Sequence, residues 1–176
     1  LKAARLGNSP SLQELLAAVG DPFQPVAVGL LLGARQARQP VLLGGGSQMM
    51  AVLALALASL PYDLRQKLVK LVVIGTTAWL VDETIKLKTG VSSLELLMNR
   101  ISDHFHVSLL GIATGLHFYS SAHQALRDYE IGFIKEGVGA GALALLAQLG
   151  GASLQDLVDA CDKAFLELRQ SPEHLI

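Results

Sequence analysis

Apolar residues along this chain fall in short runs, broken at close intervals by glycine, proline and small polar residues. Ser11 to Val19, SLQELLAAV, has helical spacing. Ser11 is a candidate N-cap with Glu14 following in a capping-box pattern, and Gly20 is the stop. Asp21-Pro22 reads as the N-cap and first turn of a second helix, which runs to about Arg38. That helix is apolar nearly all round in VAVGLLLGA, and Gly29 and Gly33 share one of its faces, where another backbone can approach closely. Pro40 to Leu43 is a short strand ending in Gly44-Gly45-Gly46-Ser47. Met49 to Leu60 is a helix stopped by Pro61, and Tyr62 to Lys70 a short charged one. Leu71 to Ile74 is a second strand, ending in Gly75-Thr76-Thr77. Val81 to Thr89 is polar and fits neither period. Ser92 to about Arg100 reads as a helix, and Val107 to Ala113 as a third strand closed by Thr114-Gly115. Ala122 to Glu130 is helical, and Phe133-Ile134 is a candidate short strand. Lys135 to Gly141 opens a helix through Leu149, and Gly150-Gly151 breaks it. Ser153 caps a last helix within 152–171, ending before Pro172.

Strands that alternate with helices predict an α/β fold: a mainly parallel sheet flanked by helices in three layers, one domain over residues 1–176. Composition raises one competing possibility. Hydrophobic residues make up 51% and charged residues 16%, and the mean hydropathy is +0.44. Gln39 to Tyr62 carries no formal charge over 24 residues. A membrane span needs roughly 20 predominantly apolar residues. Pro40, the three glycines, Ser47 and Gln48 interrupt this window, and Met49 to Leu60 alone has the length of a buried core helix. A parallel sheet covered on both faces accounts for the same composition. No positively charged segment leads into an apolar run at the start, so no signal peptide is visible. A net charge of −1 gives no footprint for nucleic acid. The single cysteine, Cys161, excludes an internal disulfide and an all-cysteine zinc site. A reducing cytoplasm is the simplest compartment.

The candidate chemistry collects where strands end. Gly44, Gly45, Gly46, Ser47 and Gln48 follow the first strand, Gly75, Thr76 and Thr77 the second, and Thr114-Gly115 the third. In an open α/β sheet the carboxyl ends of the strands form one rim, and ligands bind along it. Glycine permits close backbone approach, and a following helix N-terminus offers free N–H groups to an anion. A phosphorylated or otherwise polar small molecule fits such loops; so does plain strand-to-helix turning. Lys135-Glu136-Gly137-Val138-Gly139-Ala140-Gly141 is the sharpest segment. Glu136 before a helix is either a cap on it or a general base with a tuned pKa.

Weaker constellations remain. His104 and His106 would share a face of a strand in a way that suits zinc, but no third ligand is in view and no metal is expected. His117, Ser120, Ser121 and His123 are placed to meet a ligand or to cap a helix at Ser121. Asp128 and Glu130 read as a solvated face. Trp79 and Tyr129 read as packing residues that can also stack on a planar ligand, and Met49 and Met50 as core. The P-loop, nucleophile-elbow and strict dinucleotide signatures are missing, and Gly137 to Ala142 fits only the looser dinucleotide form.

GDPFQPVAVGLLLGARQARQPVLLGGGSQMMAVLALAL, from Gly20 to Leu57, resembles the nicotinate-nucleotide:dimethylbenzimidazole phosphoribosyltransferases, as does Lys135 to Ala144. An uncharacterised relative group of that family is closer, with G-D-P-x-Q-P-V, L-x-G-G-T-Q-M, I-G-T-T and Y-E-x-G-x-x-K-E-G-V-G-A-G. The likeness covers most of residues 14 to 170. It implies a Rossmann-like parallel sheet and transfer of phosphoribose from nicotinate mononucleotide to a benzimidazole-type base, in synthesis of the cobalamin lower ligand. It implies Glu136 as the general base that deprotonates the attacking base. It places substrate and phosphate binding on Gly44 to Gln48, Gly75 to Thr77, Lys135, Gly137 and Gly139. It also implies no cofactor, no metal and a homodimer.

The classical family has an upstream Gly-x-Gly-Asn-Thr-Thr loop, of which Gly7-Asn8-Ser9-Pro10 is only a superficial echo. The classical L-L-D-G has Gly44 in place of its aspartate, and Gly75-Thr76-Thr77 replaces Ser-His. The expectation is therefore a C-terminal part of a longer enzyme, inactive by itself. A different nucleotide- or sugar-phosphate-binding enzyme on the same scaffold, or a non-catalytic binding or assembly module, stands as the alternative.

Overall fold

The computed structural model describes residues 7, 10–81, 92–130 and 139–170. In chain order the elements are α1 (Leu12–Val19), α2 (Phe23–Gln36), β1 (Val41–Gly44), α3 (Ser47–Ala58), α4 (Tyr62–Val69), β2 (Val72–Thr77) and α5 (Ala78–Val81). There follow α6 (Ser93–Phe105), β3 (Gly111–Thr114), α7 (Gln124–Asp128), α8 (Ala140–Leu149) and α9 (Leu154–Gln170). The Val81–Thr89 stretch beyond Val81, the Phe133-Ile134 strand, and Lys135, Glu136 and Gly137 lie outside the described residues.

The strands form one parallel sheet in the order β1-β2-β3. Val41 pairs with Val72, Gly44 with Gly75, Ile74 with Gly111 and Thr77 with Thr114. Parallel neighbours need a crossover between them, and helices supply it. Leu43, Val72 and Ile74 pack on one side with Val28 and Leu31 of α2, five residues of α3, Leu68 of α4 and Ile101 and Phe105 of α6. Met50, Ala56 and Leu57 of α3 are wholly buried. That helix is the uncharged window of the sequence, so its apolar character serves the core. No helix among the described residues is long and apolar enough to cross a membrane. On the other side, α8 crosses all three strands, and a smaller cluster of Leu116, Phe118, Ala144 and Val158 forms between it and α9. The result is the expected three-layer α/β/α arrangement.

Local signals set the helix ends. Ser11 accepts from the Glu14 amide while the Glu14 carboxylate takes the Ser11 amide, which closes the predicted box. Ser153 and Asp156 do the same before α9. Asp21 accepts from the Phe23 amide at 2.7 Å, so it caps α2 from just outside.

Three elements depart from expectation. β2 runs on through Thr76 and Thr77, which pair with Ala113 and Thr114 of β3 and lie under α8. β3 begins only at Gly111, and Val107 to Leu110 are irregular although Val107 is buried. The helix expected to end near Arg100 continues to Phe105 and closes on His106 in a left-handed conformation. His104 and His106 therefore sit at a helix end and not on a strand. No group of three or more His, Cys, Asp or Glu side chains among the described residues could hold a metal ion.

Candidate functional site

The parallel register gathers the carboxyl ends of all three strands on one rim. Gly45 carries the turn from β1 into α3: its φ is +154°, and its amide donates to the Gly75 carbonyl at 2.9 Å. Gly46 is buried, and Ser47 and Gln48 are exposed in the first turn of α3.

The close approach that the rim glycines permit is made by α8 of the same chain. A β-carbon on Gly44 would lie 2.7 Å from the Ala142 β-carbon, and one on Gly75 would lie 3.2 Å from it. One on Gly141 would fall 2.5 Å from the Thr76 carbonyl carbon and 2.8 Å from Thr77 Cγ2. Gly139 stands beside the Gly44 carbonyl. Gly44, Gly75 and Gly141 thus let α8 lie almost directly on the strand backbones.

An apolar cavity of about 500 Å³ opens next to this contact. Thr77 lines it from the end of β2, Trp79 from α5, Leu116 and Phe118 from the loop after β3, Tyr129 from the end of α7, and Leu143 and Cys161 from α8 and α9. Its aromatic side chains brace each other: the Trp79 ring lies 5.6 Å from that of Phe118 and 5.7 Å, edge-on, from that of Tyr129. Among the described residues, Thr77 Oγ1 and Trp79 Nε1 of this lining are buried polar atoms without a partner. Thr76 Oγ1, next along the strand, is also unpartnered. Such atoms are costly in a finished interior, so they mark a place where a ligand with hydrogen-bonding edges gains. A pocket with mostly apolar walls and few polar groups suits a flat aromatic molecule. Burial, with the Asp162 charge adding to it, pushes the Cys161 thiol up, so this cysteine stays protonated.

Polar side chains hold the loop that forms one wall. Thr114, 1% exposed, donates to Gln148 of α8 and accepts from the Leu116 amide. Glu130 receives the Phe118 amide and pairs with His117, so it belongs to this brace and not to a solvated face. Ser121 does not cap a helix: its hydroxyl donates to Asp162 of α9, which also takes the Ala122 amide at 2.8 Å. The Ser121 and Ala122 donors hold the Asp162 carboxyl below its usual range. Asp162 and Gln148 were not singled out by sequence reasoning, and Glu130 was read only as part of a solvated face. Leu116 and Phe118 also escaped it, although their apolar alternation across His117 signals a wall within an apparent loop.

No family model matches the chain. Three relatives do. A UPF0284 protein of Prochlorococcus marinus (strain MIT 9313) is 58% identical over 168 residues, which is 96% of this chain and 42% of that protein. One of Parasynechococcus marenigrum (strain WH8102) is 54% identical over the same shares. The chain is similar to UPF0284 proteins. The similarity reaches Gloeobacter violaceus (strain ATCC 29082 / PCC 7421), whose UPF0284 protein is 40% identical over 92% of this chain and 40% of its own length. The chain spans about two fifths of the length of the curated relatives it matches.

Proposed function

We propose that the chain supplies the base-binding part of a phosphoribosyltransferase that uses nicotinate mononucleotide. The carrying observation is the apolar cavity at the carboxyl rim, with Thr77 Oγ1 and Trp79 Nε1 unpartnered in its lining. The sequence resemblance supplies the reaction. A benzimidazole-type base fills the cavity, and the phosphoribosyl group lies toward Gly45 to Gln48 and Thr76. The resemblance assigns Lys135, Gly137 and Gly139 to substrate binding as well. Gly44 and Gly75 act indirectly, by letting α8 set the height of the rim.

In this reading the base presents one ring nitrogen to the anomeric carbon of the ribose. The new N–C bond forms as the bond to nicotinate breaks, and that electron pair neutralises the departing pyridinium nitrogen. Glu136 takes the N–H proton from the other ring nitrogen. General-base assistance of this kind is worth roughly 10²–10⁴-fold. The working form is a homodimer of a longer cytoplasmic protein, without metal or cofactor.

The test is turnover of nicotinate mononucleotide with a panel of bases by the longer protein in which this chain sits. Formation of an α-ribazole phosphate or an analogue, lost on Glu136→Gln, is the expected result. Absence of turnover with every base, or an unimpaired Glu136→Gln variant, overturns it. One observation favours the non-catalytic alternative: α8 fills the space above Gly44 and Gly75. Ligand binding without turnover would select that alternative.

A further inference from the structure

A second cavity lies beside the carboxyl ends of α2 and α4, lined by Arg35, Gln36, Arg38, Lys67 and Leu71. It has a volume of about 600 Å³. Leu71 directly precedes the amino end of β2 and Arg38 stands three positions before that of β1, so this cavity is at the opposite end of the sheet from the rim. Among the described residues, five line it; three of these are cations and none is a carboxylate.

None of the three cations has an ion-pair partner among the described residues, and Arg35 Nε is buried with no hydrogen-bond partner. Three like charges around one cavity repel one another, and a guanidinium N–H shut away from water without an acceptor is costly. Basic residues in the last turn of a helix do complement its dipole, which accounts for Arg35 on α2 and Lys67 on α4 taken singly. It does not account for Arg38. That residue has φ 56° just past the end of α2, where the Gln39 amide reaches back to the Ala34 carbonyl. Glycine is the usual occupant of this left-handed position, and an arginine there is held at a conformational cost.

The geometry points to an anion site in this cavity, for a phosphate-bearing small molecule, separate from the rim and independent of the transferase reading. Two guanidinium groups provide the planar, forked donors that match phosphate oxygens, and Lys67 adds a point charge. Convergence on one cavity, in a chain of net charge −1, fits a compact anion better than a long polyanion.

Isothermal titration calorimetry of the chain with pyrophosphate, inorganic phosphate and citrate at constant ionic strength tests the site. Saturable one-to-one binding of pyrophosphate or phosphate is expected, at least tenfold tighter than citrate. Arg35→Gln and Lys67→Gln should each weaken it tenfold or more, while Lys163→Gln on α9 should leave it unchanged. Arg38→Gly separates this from a structural role: it should raise the melting temperature by relieving the left-handed residue, yet weaken phosphate binding. No saturable binding, citrate binding equally well, or full binding by Arg38→Gly or by the triple Arg35→Gln/Arg38→Gln/Lys67→Gln variant would each overturn the site.

Discussion

Thr77 and Thr114 lie side by side on adjacent parallel strands, each 1% exposed, and among the described residues only the Thr114 hydroxyl has a partner. Thr114 donates to Gln148 and accepts from the Leu116 amide, whereas Thr77 Oγ1 has neither donor nor acceptor. The difference separates a structural threonine from one that the cavity keeps in reserve. Thr114→Val strands a glutamine amide and a backbone N–H, and should cost about 1–3 kcal/mol in urea unfolding. Thr77→Val removes an unsatisfied group and should be close to neutral or stabilising in the same measurement.

The contact between α8 and β2 predicts a second contrast. A methyl group at Gly141 meets the Thr76 carbonyl carbon at 2.5 Å, and strand backbone cannot yield cheaply. Gly141→Ala should therefore cost about 2–3 kcal/mol through overpacking. Gly29, inside α2, has nothing within 4 Å of a built β-carbon, so the close approach expected there is absent among the described residues. Gly29→Ala should stabilise by about 0.5–1 kcal/mol, because alanine suits a helix interior better. Thermal or urea unfolding of both variants checks the pair.

Asp162 carries a pH signature. Its folded-state carboxyl is held below the usual value by the Ser121 hydroxyl and the Ala122 amide. A depressed acid contributes stability that is present at neutral pH. That stability is lost as pH falls below about 4 and through the folded-state value. Asp162→Asn should reduce stability at pH 7 and flatten the acid limb of a stability-versus-pH curve, compared with the parent chain. An unchanged acid limb would remove Asp162 from the brace.

Much of this was legible in the residue pattern. The capping box at Ser11, the cap at Ser153, the stop at Pro61 and the three apolar strands are local signals, and local energetics decides them. What escaped was decided by distant contacts. β2 extends through Thr76 and Thr77 because α8 covers them, and Gly141, which permits that cover, stands some 65 positions later in the sequence. α6 runs past Arg100 because Ile101 and Phe105 continue its buried face, and the polar Asp103-His104 between them hides that periodicity. Glu130 looked solvated until the loop after β3 folded back onto it. At the rim, glycine was visible, but its partner was not: Ala142 of α8 in the same chain lies against both Gly44 and Gly75.

Trp79 is the single tryptophan and lines the proposed base site, so its fluorescence reports directly on the cavity. Titration of the chain with a benzimidazole should give a saturable change in Trp79 emission. Ala160→Phe, which fills the cavity from α9, should abolish that change while leaving the circular dichroism spectrum intact. No saturable change in the parent chain, or an identical one in Ala160→Phe, would contradict the assignment of this cavity to an aromatic base.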